Sequence, residues 1–255
     1  MSILVKHIYD IINQFAPFDT QEKWDNSGLL VGDFNQEVSG ILISLDISVS
    51  ALKHAQESGC NLIFSHHPVI FSAIRNLYSD SIVYQLAKHD ISAICCHTPL
   101  DIAKGGINDL IVQKLEKLIP VEEILPVEDD GLGRIITLKE EISLPKFAQI
   151  AKHALHCENV RFSANHQGKI RKIAICSGSG SSMLEDLSSR CDAFLTGDVK
   201  HDRWYKAEEL HIALLDCGHY ATEVIMIPYI AGILRNAFPE LKIIEFAEGD
   251  PVRYV

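Results

Sequence analysis

The sequence predicts an α/β protein built from two similar lobes. Short β-rich apolar runs alternate with segments whose apolar residues recur at helical spacing. Several of the runs end in histidines and carboxylates, as strands of open α/β sheets do where they gather ligands. The order of runs in the first half recurs in the second, as an internal duplication would produce.

The elements follow in order. Leu4, Val5, Ile8, Ile11, Ile12 and Phe15 keep helical spacing until Pro17 stops the run. Residues 41–45 (ILISL) read as a buried strand. Ser48 caps a helix to about residue 58, which Gly59 ends. Residues 61–64 form a second strand leading into Ser65-His66-His67-Pro68, and a helix covers 79–89. Residues 91–96 form a third strand, before a helix over 107–118. The stretch 118–133 is rich in proline, acids and glycine and reads as the lobe boundary. The first lobe is therefore expected over 1–127 and the second over 128–221, with 222–255 packing back onto the first. In the second lobe 134–138 is a strand. Ser143 is expected to cap a helix to 155 that has Pro145 in its first turn, and 160–163 is a short strand.

Residues 172–176 then match 41–45, 191–198 match 60–67, and 212–215 match 91–94. Each half's third run ends in a histidine with a carboxylate four residues on: His97 with Asp101, and His219 with Glu223. The repeat is too long, and occurs too few times, for a solenoid.

Composition excludes several classes. The net charge of −11 over 255 residues makes the chain a poor counterion for nucleic-acid backbones. The 47% hydrophobic and 22% charged content excludes broad disorder. The apolar stretch 224–234 contains Pro228 and is about half the roughly 20 residues of a membrane span. The N-terminal run carries Lys6, His7 and Asp10, which fits an amphipathic helix and not a signal peptide. The 7 cysteines lie mostly in apolar runs with no Cys-x-x-Cys, the pattern of free thiols in a reducing compartment. A cytoplasmic location is expected.

His66, His67, His97 with Asp101, Asp198 with His201, and His219 with Glu223 all fall just past strand ends. Imidazole and carboxylate are the ligands of zinc, iron or manganese. A set this rich can hold two ions about 3.5–4 Å apart, an arrangement suited to hydrolysis. Adjacent histidines also fit a turn with satisfied rings, and His-x-x-x-Glu also fits a helix-face pair. His7, His54, His89, His153, His156, His166 and His211 read as surface or structural. Ser177-Gly178-Ser179-Gly180-Ser181 fits either an anion-holding turn or a tight glycine turn, and lacks the P-loop pattern. The turn at Trp24 fits either stacking of a base or capping of the core. No Gly-x-Ser-x-Gly elbow is present.

Trp24-Asp25-Asn26-x-Gly28-Leu29, Ser44-Leu45-Asp46, Ser65-His66-His67-Pro68, His97-Thr98-x-x-Asp101, Thr196-Gly197-Asp198-x-x-His201 and Gly218-His219-Tyr220-x-x-Glu223 occur in that order. Together they resemble the GTP cyclohydrolase 1 type 2 family, also called interacting-factor-3-like proteins, in its short bacterial form. The resemblance implies two α/β lobes with a dinuclear metal site between them and a homohexameric ring. It implies His66, His67, Asp101, His219 and Glu223 as ligands to two divalent ions (iron, zinc or manganese), with Glu223 as the bridge. It places His97 and His201 near the metals, to relay protons or to hydrogen-bond substrate. It implies hydrolytic opening of the guanine five-membered ring of GTP with release of formate. The expected function is thus a metal-dependent hydrolase of a nucleotide-like small molecule. The alternative is a non-enzymatic metal-binding or oligomeric adaptor protein.

Overall fold

The computed structural model describes residues 2–127 and 131–253. The chain runs through α1 (Val5–Phe15), β1 (Gly28–Val31), β2 (Ile41–Ser44), α2 (Val49–Ser58), β3 (Leu62–Ser65), α3 (Ile82–Lys88), β4 (Ser92–Cys95) and α4 (Thr98–Ile102). It continues through α5 (Ile107–Glu116), β5 (Val121–Pro126), β6 (Arg134–Ser143), α6 (Leu144–Leu155), β7 (Arg161–Phe162), β8 (Lys169–Ile175) and β9 (Ala193–Thr196). It ends with α7 (His201–Glu209), β10 (Ala213–Asp216), α8 (His219–Glu223), α9 (Met226–Ala237) and β11 (Ile243–Glu245). These elements form two units: residues up to Ala103 with Met226–Gly249, and Lys104–Ile225 with the residues from Asp250.

Among the described residues, the first unit's sheet has the order β1-β4-β3-β2-β11. β2, β3 and β4 are parallel and buried along their whole length, as strands covered on both faces must be. Leu42, Ile63 and Ala93 pack with Ala51, Leu52 and Ala55 of α2 and Leu86 of α3. α9 packs on β2 and β11, and α1 packs on α9. The Ser48 hydroxyl accepts a bond from the Ala51 N–H at 2.9 Å, and Gly59 closes α2 at φ 70°. Both agree with the sequence.

The second unit's sheet has the order β5-β6-β8-β9-β10-β7. Its parallel triplet β8-β9-β10 corresponds to β2-β3-β4, and in both units a short antiparallel strand flanks the third member. α5 and α6 pack on β6. Phe194, Leu214 and Ala174 pack with Leu184, Leu187 and Ala207.

Three expectations differ from what is found. The units divide after Ala103 and not at 127, because α5 packs on β6 and β8 while β5 pairs with β6. The proline- and acid-rich stretch is no simple linker, since Val121–Pro126 is an exposed edge strand, a place where proline is tolerated. Its residues 128–130 lie outside the described residues. At the other end α8 stays with the second unit, while α9 and β11 complete the first. Ser143 does precede α6 with the extended backbone of a cap residue, but its side chain makes no cap bond, and its backbone pairs with Lys169 at the end of β6.

The 7 cysteines are free and buried, and no helix among the described residues is long and apolar enough to cross a membrane. Burial pushes the Cys191 thiol up to about 12 and raises Cys95 and Cys96 well above their ordinary value. A hydrogen bond from Cys217 lowers Cys157. The native protein at pH 8 should therefore resist iodoacetamide, with Cys157 alkylated first and the full set of 7 only in denaturant. Mass spectrometry of the alkylated protein checks this, and rapid labelling of Cys191 in the native state would contradict it.

Candidate metal centre

In the first unit the site begins at the ends of β3 and β4. The His66 and His67 N–H groups both donate to the Leu45 carbonyl, at 3.2 and 3.0 Å, which fixes the turn carrying the two rings. The ring of His66 is fully buried and its Nδ1 lies 2.9 Å from the Cys96 carbonyl. His67 Nδ1 lies 2.8 Å from Asp46 Oδ1, and His97 Nδ1 lies 2.8 Å from Asp25 Oδ1. A carbonyl or carboxylate can only accept, so each Nδ1 is the N–H and each Nε2 carries the lone pair. This is the outer-sphere arrangement of metal-binding histidines, which orients the ring and raises its basicity. The three imidazoles offer ligand atoms within 4.8 Å of one another. Asp101 Oδ2 lies 3.6 Å from His66 Nε2 in the same buried environment.

Asp25 is the hub of this unit. Its buried carboxylate accepts from His97 Nδ1, the Asn26 N–H (2.7 Å), the Thr98 N–H (3.0 Å), the Thr98 hydroxyl (2.5 Å) and the Ser27 hydroxyl (3.1 Å). Burial alone would raise its pKa. The bonds from His97 and Thr98 outweigh that and hold the carboxyl well below the usual range.

In the second unit His219 opens α8 just beyond β10. Its Nδ1 lies 2.9 Å from Asp198 Oδ2 and its Nε2 lies 3.0 Å from Glu223 Oε2. With Nδ1 committed to Asp198, the Nε2 lone pair and the Glu223 carboxylate are both electron donors. A shared proton or a shared cation reconciles them, so this pair suits a divalent ion. Glu223 is held close by glycine: at Gly178 (φ +61°) an added Cβ would lie 2.1 Å from Glu223 Oε1. At Gly197 a Cβ would come within 2.7 Å of the His219 backbone nitrogen.

The two His-x-x-x-carboxylate motifs behave differently. His219 is the first helical residue of α8, so Glu223 stacks under it at i,i+4. His97 is the cap of α4, with φ −90° and ψ −109°, and that non-helical backbone turns its ring to Asp25 while Asp101 faces His66.

His201 opens α7 elsewhere in the second unit. It lies edge-on to Tyr205 at 5.3 Å and lines a groove of about 770 Å³ with Trp204, Phe162 and Arg161. Among the described residues the cation-competent groups include His97 and not His201. The glycine turn after β8 is no open anion cradle. The N–H groups of Ser177, Gly178 and Gly180 donate to the side chains of Asn108, Thr222 and Thr196. Asp25 and Asp46 are histidine anchors that only contact geometry reveals, and Asp198, expected beside His201 among the candidate ligands, anchors His219.

Residues 3–251 match the sequence model of the family described as Duf34/NIF3 (NGG1p interacting factor 3). A GTP cyclohydrolase 1 type 2 homolog of Clostridium acetobutylicum is 31% identical over 248 residues, covering 92% of each chain. NGG1-interacting factor 3 of Saccharomyces cerevisiae is 30% identical over 240 residues, covering 83% of each. Among solved structures, reduced HcgD from Methanocaldococcus jannaschii superposes with a TM-score of 0.83 at 32% identity, covering 96% of this chain and 98% of that one.

Two variants test the geometry. Gly178→Ala should displace the Glu223 carboxylate visibly in a crystal structure and cost about 1–3 kcal/mol in urea unfolding. An unmoved carboxylate would contradict the packing. Asp25→Asn should cost about 1–3 kcal/mol, because an amide cannot accept from every donor around it. The folded-state pKa of Asp25 is lowered, so its contribution is fully present above the ordinary Asp value of about 4 and lost as pH falls below it. The stability gap between wild type and variant should be constant above about pH 5 and narrow below about pH 4. A gap that widens on acidification would contradict this sign.

Proposed function

The chain belongs to the Duf34/NIF3 family, and from that premise we propose that it is a dinuclear metal-dependent hydrolase of a nucleotide-like small molecule. The candidate reaction is ring-opening of GTP with release of formate, a reading supported by relatives that carry the name GTP cyclohydrolase 1 type 2 homolog. One observation carries the reading: His66, His67, His97 and His219 each have Nδ1 tied to a carbonyl or carboxylate. His66, His67, Asp101, His219 and Glu223 would hold two divalent ions, drawn from iron, zinc or manganese. When bound, the ions would supply Lewis acidity, water activated at neutral pH, and positive charge to receive an anionic substrate.

The chain's own residues supply the rest. Opening the guanine five-membered ring by attack at C8 leaves charge on a departing ring nitrogen, which needs a proton. His97 is the residue for this task. It stands in the same cluster as His66 and His67, its Nε2 can take and give a proton, and the Asp25 carboxylate stabilises the imidazolium in between. His201 is the second candidate for the same role. The protein works as a cytoplasmic homohexamer in this reading.

The alternative is a non-enzymatic metal-binding or oligomeric adaptor, which the name of the yeast relative favours. Purified protein reloaded with iron, zinc or manganese should release formate from GTP. Glu223→Ala should lose metal, by elemental analysis, and all turnover, while light scattering still reports a mass six times that of the chain. Metal-loaded wild type with no formate above the variant would remove the cyclohydrolase reaction. A Glu223→Ala protein that falls apart would make the metals structural and favour the adaptor.

A further inference from the structure

Trp24 is exposed where its surroundings are fixed. Asp25 beside it is locked by five donors, Ser27 N–H donates to Gln21 Oε1 at 2.8 Å, and Asn26 Nδ2 donates to the Ile70 carbonyl at 2.5 Å. That last bond ties the Trp24 turn to the segment carrying Phe71. Yet Trp24 is 55% exposed and Phe71 is 52% exposed. Large aromatic surface left in water on a braced turn has no folding rationale, and it is what a binding surface requires. The two ring centroids are 6.0 Å apart at 42°, too close for a third ring to slide between them, so they form one wall. His97 stands edge-on to both, at 5.7 Å from Trp24 and 6.3 Å from Phe71.

We propose that Trp24, backed by Phe71, is the stacking wall that receives the planar heteroaromatic ring of the substrate beside His97. The proposal rests on the hydrolase reading above and deepens it: the wall selects a flat nitrogen heterocycle such as a purine, while the histidine cluster acts at its edge.

The chain has 2 tryptophans, so Trp204→Phe leaves Trp24 as the only indole reporter. In metal-loaded protein GTP should quench this fluorescence saturably and inorganic triphosphate should not. In calorimetry Trp24→Ala should weaken GTP binding about fivefold to a hundredfold, the range for loss of one base–aromatic stack. Trp24→Phe should recover most of it, and Phe71→Ala should have a smaller effect in the same direction. Metal content should not change in any of these variants. Absence of quenching by GTP, equal quenching by triphosphate, or an unchanged affinity in Trp24→Ala would overturn the wall. So would a change of oligomeric mass in Trp24→Ala with GTP binding intact, which would make the patch a contact between copies. GTP stacked on Trp24 without formate release sustains the wall and removes the cyclohydrolase reaction. Formate release with an unchanged KM in Trp24→Ala does the reverse.

Discussion

An imidazole serves as a ligand or a proton carrier only when one nitrogen is committed and the other is aimed. That constraint organises both units. The anchors are the Cys96 carbonyl, Asp46, Asp25 and Asp198, and each stands on a loop that follows a strand or precedes one. The anchors are themselves held. Asp25 accepts five hydrogen bonds, and the backbone under His66 and His67 is pinned to Leu45. A ring held at one nitrogen by a group with no freedom of its own loses little entropy when it takes a ligand at the other.

The parallel triplets explain why these groups gather. Side chains that leave neighbouring parallel strands at the same end converge without any long loop. β3 delivers His66 and His67 and β4 delivers His97, while β10 delivers His219. The repeat is real in topology but not in detail. The connection from strand to helix has two residues in both units, but His97 is its last residue and so a cap, whereas His219 lies one position further on and opens the helix. The same four-residue spacing thus produces a direct His–Glu pair in one unit and two separately anchored groups in the other.

What was legible in the sequence follows from how local each determinant is. Helical spacing in α1, the Ser48 cap and the Gly59 stop are local, and they read correctly. The apolar runs of β2, β3 and β4 also read correctly, because strands buried on both faces are apolar throughout. β5 was not legible, because an exposed edge strand with a proline and two acids has the composition of a linker. Asp25 as the anchor of His97 was not legible either. The two are 72 positions apart, and no periodicity connects them. The Ser-Gly repeat fits an anion-holding turn or a tight glycine turn equally in sequence, and the choice is made by Asn108, Thr196 and Thr222, which take up its N–H groups and which only the folded chain brings near.

Charge supplies the last constraint. The chain carries −11, its histidine anchors include three carboxylates, and Asp101 and Glu223 are buried. Buried carboxylates are costly unless positive charge accompanies them. Divalent ions at these residues would offset that cost, and the same ions would make an acidic protein receptive to a nucleotide's phosphates. The catalytic reading and the adaptor reading therefore share one electrostatic origin. They part on a single point of coordination chemistry: a closed ligand set holds a fold together, whereas a position left open to water and substrate turns the same charge to chemistry.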